Sequence, residues 1–368
     1  MLTNYTKMIT LSTMNVVNES GIFAFRLAQA RRMRSMSLRE LSERLEGAVS
    51  HAALHKYEQG VMKPDGAVLA ALCKALGQKP DFFFRPQAVN LAEVEFRKKA
   101  SLKAKDEDAL KEKASDFFER YLEIEDILGV GGSFENPLGE TEIREPSDIE
   151  HAADELRRKW KLGMDPLPAV VDLLEDHHIK VYEVNDAPNE FEGFSGHAGE
   201  VRVIVLNRNR PADRKRLTAL HELGHLLLTF HKQFSQTEIE KLCHAFAAAL
   251  LIPKAVFSEV FGGERTHSTT RELVAIKERW GLSCSATMMR AGQLELIAPS
   301  SLKRFHILWR KWGNDKKEPG EWGGSEEAGR FLALVHRAAA EGFVTLSKGA
   351  YLAAQPLAAF RADLQKVP

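Results

Sequence analysis

Cysteine is scarce in this chain: Cys73, Cys243 and Cys284 are the only three in 368 residues. That is too few, and too scattered, for a disulfide framework or a cysteine-rich zinc cluster, and it suits a reducing compartment. Long apolar runs are also missing, none approaching the roughly 20 residues that a membrane span requires. Met1 to Ser20 is polar and lacks the charged-then-apolar order of a secretory leader, so the expectation is a cytoplasmic protein with no membrane association. Net charge is absent too: 51 basic residues balance 51 acidic ones, and no global field selects a partner. Local fields survive that cancellation. Hydrophobic residues make up 44% of the chain, enough for sizeable cores, and the length suggests two or three domains.

Against that background one stretch stands out, Thr218-Ala219-Leu220-His221-Glu222-Leu223-Gly224-His225-Leu226-Leu227-Leu228. His221 and His225 are four apart, so a helix stacks them one turn above each other on one face. Two imidazoles so placed can reach one zinc ion at roughly 2 Å. Glu222 follows directly, placed to act as a general base toward water at the metal. Burying these groups among leucines is costly unless a metal pairs with them.

A catalytic zinc usually has three protein ligands, and the residues leave several candidates for the third. His231 has the right distance from His221 for one known pattern, but that pattern needs glycine where Leu228 stands. Glu240 and His244 sit one turn apart on a predicted helix ending at Pro253, so either can face the ion; Glu238 is a further candidate. For a donor to the oxyanion, His231, His197 and Tyr182 qualify by residue type.

Upstream, residues 22–86 read as a run of short helices. Ser37-Leu38-Arg39-Glu40 matches a capping box, Ser50 is a second N-cap, and Val68 to Gly77 predicts a further helix. Six arginines from Arg26 to Arg44 face two glutamates, the charge pattern of a phosphate-facing surface. Spaced apolar residues from Val94 to Leu128 predict a long amphipathic helix, a spacer or dimer arm broken at Gly129 to Pro137. From Pro146 the chain predicts a helix opened by Ser147, a second at Val170 to Asp176, and strands at 179–184, 194–197 and 201–207. The motif helix is expected at Arg214 to Phe230. Late helices are expected at 283–291, Glu326 to Ala340, Ser347 to Ala354 and Phe360 to Leu364.

Two resemblances follow from these residues. Arg26-Leu27 with Ala30-Arg31, Ser37-Leu38-Arg39-Glu40-Leu41, and Tyr57-Glu58-Gln59-Gly60 with Lys63-Pro64 resemble the XRE (lambda-repressor-like) helix-turn-helix family. The turn through Gly47 to His51 is longer than usual. The resemblance implies that Ser50, His51, Ala52, His55 and Lys56 face double-stranded DNA, although His51 and His55 are weak base readers. Arg216 to His225, then Glu240-Lys241-Leu242-Cys243-His244-Ala245-Phe246-Ala247 and Leu250-Leu251-Ile252-Pro253, resemble the ImmA/IrrE metallopeptidase family. That resemblance implies Glu240 as the third zinc ligand, with His244 standing where many members have asparagine. It also implies a regulatory peptidase that cleaves a helix-turn-helix repressor.

The expected fold is α+β and mostly α: a flexible arm at 1–21, a lambda-repressor-like domain at 22–86, a helical linker at 87–145, a zincin-like domain with a small sheet at 146–298, and a C-terminal helical extension at 299–368. The expected function is a zinc endopeptidase acting in transcriptional control, with Glu222 catalytic and His221, His225 and Glu240 on the metal. A homodimer is a further expectation. The rival reading is a DNA-binding regulator, or antitoxin-type partner, whose zinc domain senses or docks a partner without proteolysis.

Overall fold

The computed structural model describes residues 19–86, 102–139, 141–198 and 200–365. Most of the expected N-terminal arm and the first part of the expected linker lie outside those residues. The described residues divide into two compact units, the first holding 19–86 and 102–119 and the second those from 120 onward.

In the first unit four α-helices follow one another: α1 (Glu19–Met33), α2 (Leu38–Arg44), α3 (His51–Glu58) and α4 (Gly66–Leu76). A short 3-10 helix (Pro80–Phe84) comes next, and then α5 (Ala104–Leu128) starts, the division falling after its Glu119. The starts are set locally. Ser37 and Glu40 exchange both hydrogen bonds of a capping box, Ser50 accepts the Ala53 N–H, and Asp65 accepts the Val68 N–H, each satisfying donors that a helix start leaves open. Gly77 closes α4 at φ +66°, a backbone state glycine adopts without strain. Leu27, Leu41, Leu54, Leu72 and Phe83 are fully buried in one core.

The arginine-rich surface needs correction. Arg26 is fully buried and pairs with Glu119 at 2.8 Å. Arg31 makes a bidentate pair with Glu58 at 2.6 and 2.7 Å. Arg26 and Arg31 therefore hold the unit together from within; Arg32, Arg34, Arg39 and Arg44 stay exposed, although Arg32 pairs with Glu112 and Arg34 donates to Leu76 O.

The second unit continues with β1 (Glu142–Ile143), α6 (Asp148–Lys159), α7 (Val170–Asp176), β2 (Ile179–Val184), β3 (Gly193–Ala198), β4 (Val201–Asn207), α8 (Ala212–Leu227), β5 (Thr229–Phe230) and α9 (Gln236–Leu251). Seven helices follow: α10 (Lys254–Phe261), α11 (Thr270–Trp280), α12 (Cys284–Gln293), α13 (Pro299–Lys311), α14 (Arg330–Ala340), α15 (Leu346–Leu352) and α16 (Leu357–Gln365). The architecture is α+β and mostly α. The three-stranded sheet has order β2-β4-β3, with β4 parallel to β2 and antiparallel to β3. Val203 to Leu206 are buried at every position, which is how a central strand covered on both faces reads. Helices α6, α8 and α9 share the sheet's core through Leu156, Leu220, Leu223, Phe246 and Leu250. Among the described residues no single helix is long and apolar enough to cross a membrane.

Three local expectations change. Ser147 makes no side-chain cap; the Asp148 carboxylate instead accepts the N–H groups of Arg144 and Glu145. The motif helix stops at Leu227, because Leu228 turns extended and Thr229–Phe230 pairs with β1. The helix expected from Glu326 begins only at Arg330. Glu326 is buried, and its carboxylate accepts the N–H groups of Val170 and Val171 at the start of α7. That capture holds the segment before Arg330 out of helical geometry.

Candidate metal centre

The site is built where α8 meets α9. Leu220, Leu223 and Leu227 commit one side of α8 to the core, and Gly224, between them on the same side, lets α9 come close. A Cβ at Gly224 would stand 3.2 Å from Phe246 Cδ1 and 3.4 Å from Cys243 Cβ and Sγ, so the two helices meet here with little room for a larger side chain. Ser235 and Glu238 open α9 with a reciprocal capping box, which commits Glu238 to the helix start. Glu240 then falls on the face turned toward the histidines.

His221 Nε2 lies 3.2 Å from His225 Nε2 and 3.1 Å from Glu240 Oε2, and His225 Nε2 lies 3.3 Å from Glu240 Oε1. Hydrogen bonds from His221, then His225, hold the Glu240 carboxyl well below the usual carboxylate range. The three side chains form a group whose ligand atoms all lie within 4.8 Å of one another. Tetrahedral ligands bonded at roughly 2.0–2.1 Å stand about 3.3 Å apart. The observed spacings therefore fit a zinc-sized ion, and two imidazoles with a carboxylate are a donor set suited to one.

The surroundings of this group are specific. Glu222 is buried beside it, and its Oε2 accepts a 2.9 Å hydrogen bond from Ser195 Oγ on β3. Cys243 Sγ lies 3.3 Å from His225 Nδ1. His221 Nδ1 is buried with no hydrogen-bond partner. The His244 ring packs against His221 at a tilt of 33°, centroids 4.0 Å apart, and His244 is outside the three-donor group. So is His231, whose N–H bonds to Ile143 O and whose Nδ1 lies 3.4 Å from the Gln233 N. His197 is exposed on β3, and Tyr182 is half-buried on β2.

In the first unit, His51, Ala52, His55 and Lys56 lie exposed on α3, while Leu54 and Tyr57 point into the core. The Ser50 hydroxyl caps that helix. Sequence reading did not single out Ser195, Cys243 or Gly224. Ser195 lay within a predicted strand with nothing to mark its partner, and Cys243 is merely the residue before His244. Gly224 was visible inside the motif, but its closeness to Phe246 required the second helix.

Comparison with known proteins finds a match in each part of the chain. Residues 27–83 match a helix-turn-helix family model, and residues 174–291 match the Peptidase_M78 model, described as the IrrE N-terminal-like domain. The chain joins an XRE-type helix-turn-helix to an ImmA/IrrE-type domain. It is 33% identical over 101 residues to the radiation response metalloprotease IrrE of Deinococcus radiodurans, covering 24% of this chain and 30% of that protein. It is 28% identical over 140 residues to the protein of the same name from Deinococcus deserti, covering 35% of this chain and 47% of that one. Less than half of either relative is spanned, and the matched family is one of metallopeptidases.

Proposed function

We propose that this protein is a zinc-dependent endopeptidase carrying its own DNA-binding module, and that it acts in transcriptional control by cutting a helix-turn-helix repressor. The observation that carries the reading is the convergence of His221, His225 and Glu240 at 3.1–3.3 Å, with Glu222 buried next to them but outside the group. A site that only docked a partner would have no use for a buried carboxylate in that place. The matched family and the names of the two relatives support metallopeptidase chemistry.

His221, His225 and Glu240 would hold the metal. Zinc bound there supplies Lewis acidity and a water nucleophile at neutral pH. Glu222 takes the proton from the attacking water. Ser195 occupies its Oε2, which leaves Oε1 to receive that proton and later deliver it to the leaving amine. Exposed His51, Ala52, His55 and Lys56 on α3 would meet the DNA groove and phosphates, with Ser50 fixing the start of the helix.

The test is zinc content of purified protein beside Glu240→Ala, His231→Ala and His244→Ala, followed by cleavage of candidate repressors with Glu222→Gln as control. The expected result is one zinc per chain, lost in Glu240→Ala alone, and cleavage abolished in Glu222→Gln with zinc retained. A wild-type protein that takes up no zinc after reconstitution would sink the peptidase reading and leave a DNA-binding regulator.

A further inference from the structure

Glu222 poses a problem that the three-donor group does not solve. It is a buried carboxylate one residue from His221, and a carboxylate beside a divalent cation is itself a competent ligand. To serve as a base it has to be held off the metal. A buried carboxylate also has to satisfy its oxygens, and a nearby cation would do so if no donor did.

The donor present is the Ser195 hydroxyl, 2.9 Å from Glu222 Oε2. Ser195 is only 5% exposed and does not sit on a loop. It lies in β3, in register with Ile204 of β4. The strand is also pinned against α8. A Cβ at Gly193 would stand 2.9 Å from Thr218 Cγ2 on α8 and 2.9 Å from Val205 O on β4, so β3 runs close to both the motif helix and its neighbouring strand, with no room for a side chain there. The hydroxyl is therefore delivered by a strand of fixed register to an oxygen on a helix of fixed distance.

We infer that Ser195 is a positioning residue that turns the Glu222 carboxylate toward β3 and reserves it for proton transfer. This rests on the reading that His221, His225 and Glu240 bind zinc. Without the hydroxyl, Glu222 loses its donor and rotates onto the metal as an added oxygen ligand.

The test uses the full chain loaded with cobalt(II) as a spectroscopic stand-in for zinc, and compares near-isosteric variants. Ser195→Thr keeps the hydroxyl and is expected to keep the wild-type visible spectrum. Ser195→Ala and Ser195→Val remove it and are expected to show the weaker, shifted bands of a site with an extra ligand, and to bind cobalt more tightly than the wild type. Adding Glu222→Gln to Ser195→Ala should restore the wild-type spectrum, because a neutral amide is a poor ligand. Two hydroxyl-free variants guard against one failing to fold. Wild-type spectra and affinity in Ser195→Ala or Ser195→Val would overturn the role of Ser195 and leave the metal centre standing. A wild type that takes up neither cobalt nor zinc would overturn both.

Discussion

Two helices in this protein carry histidines four residues apart, and they have different fates. On α3, His51 and His55 share an exposed face with Ala52 and Lys56, and the core-facing side belongs to Leu54 and Tyr57. On α8, the His221 and His225 side chains are 1% and 3% exposed, and a carboxylate from another helix closes on them. Identical spacing sets the same direction on both helices. Only α8 becomes a candidate metal centre, because a second helix comes close enough at Gly224 to bring Glu240 within reach. Among the described residues nothing equivalent faces His51 and His55. The i, i+4 pair is thus a direction, and the chemistry comes from what the fold places opposite it.

The sharpest way to break that comparison is to remove one donor from each side. Glu240→Ala or His221→Ala is expected to weaken zinc binding by more than about 100-fold, beyond the usual cost of disturbing a ligand's support. His51→Ala and His55→Ala should leave zinc content unchanged. Metal analysis after dialysis against a weak chelator reads both. Zinc lost from the α3 variants would mean that the spacing itself carries the metal.

The contrast extends to pH. In the exposed capping box of the first unit, the Ser37 N–H and then Lys105 lower Glu40 to about 2. In the second unit burial raises Glu175 to about 7, against hydrogen bonds from Arg330 and Tyr121. The signs follow. Glu40 contributes stability above its unfolded value of about 4.5 and loses it as pH falls through about 2. Glu175 holds its proton when folded, so its contribution is full below about 4.5 and is lost as pH rises through about 7. Glu175→Gln should therefore raise the unfolding midpoint at pH 8 and change it little at pH 4. The gain has an upper limit of about 3 kcal/mol, because each tenfold change in proton affinity on folding is worth about 1.4 kcal/mol. Thermal melts at pH 4, 6 and 8 decide it, and an equal effect at every pH would show that the carboxyl stays ionised.

Gly224→Val sharpens the structural half of the comparison. Its side chain must displace Phe246 or Cys243, at an expected cost of about 1–3 kcal/mol in stability, and the widened gap should weaken zinc binding as well. A variant that loses stability but keeps wild-type zinc affinity would show that Glu240 reaches the histidines without the close approach.

How much of this was legible in the chain depends on how local the signal is. The caps at Ser37 and Ser50, the alternating strand at 179–184 and the motif helix are written in neighbouring residues, and the helix-turn-helix pattern and the α+β class followed from them. The late start of α14 was not legible, because Glu326 is captured by the N–H groups of Val170 and Val171, more than 150 positions away in the chain. The arginine count overstated the exposed charge for the same reason: Arg26 answers to Glu119 and Arg31 to Glu58, while the other four remain exposed. Ser195 reads as an ordinary strand residue until β3 is laid against α8. Charge and donor groups announce their presence in sequence, but their partners are set by topology.

The smallest expected effect lies on α3. Lys56 is exposed in the last turn of that helix, beside His55. If it neutralises a phosphate, Lys56→Ala should weaken binding to a mixed-sequence duplex about equally for all sequences and lower the salt slope by about one. Fluorescence anisotropy at several salt concentrations measures that slope. Arg31→Ala gives the instructive control, since its guanidinium is held by Glu58. It should destabilise the first unit without removing a phosphate contact, so the slope of the folded fraction should not move. If Lys56→Ala leaves the slope unchanged and Arg31→Ala lowers it, the internal arginine is reaching DNA and the exposed face of α3 is not the one that docks.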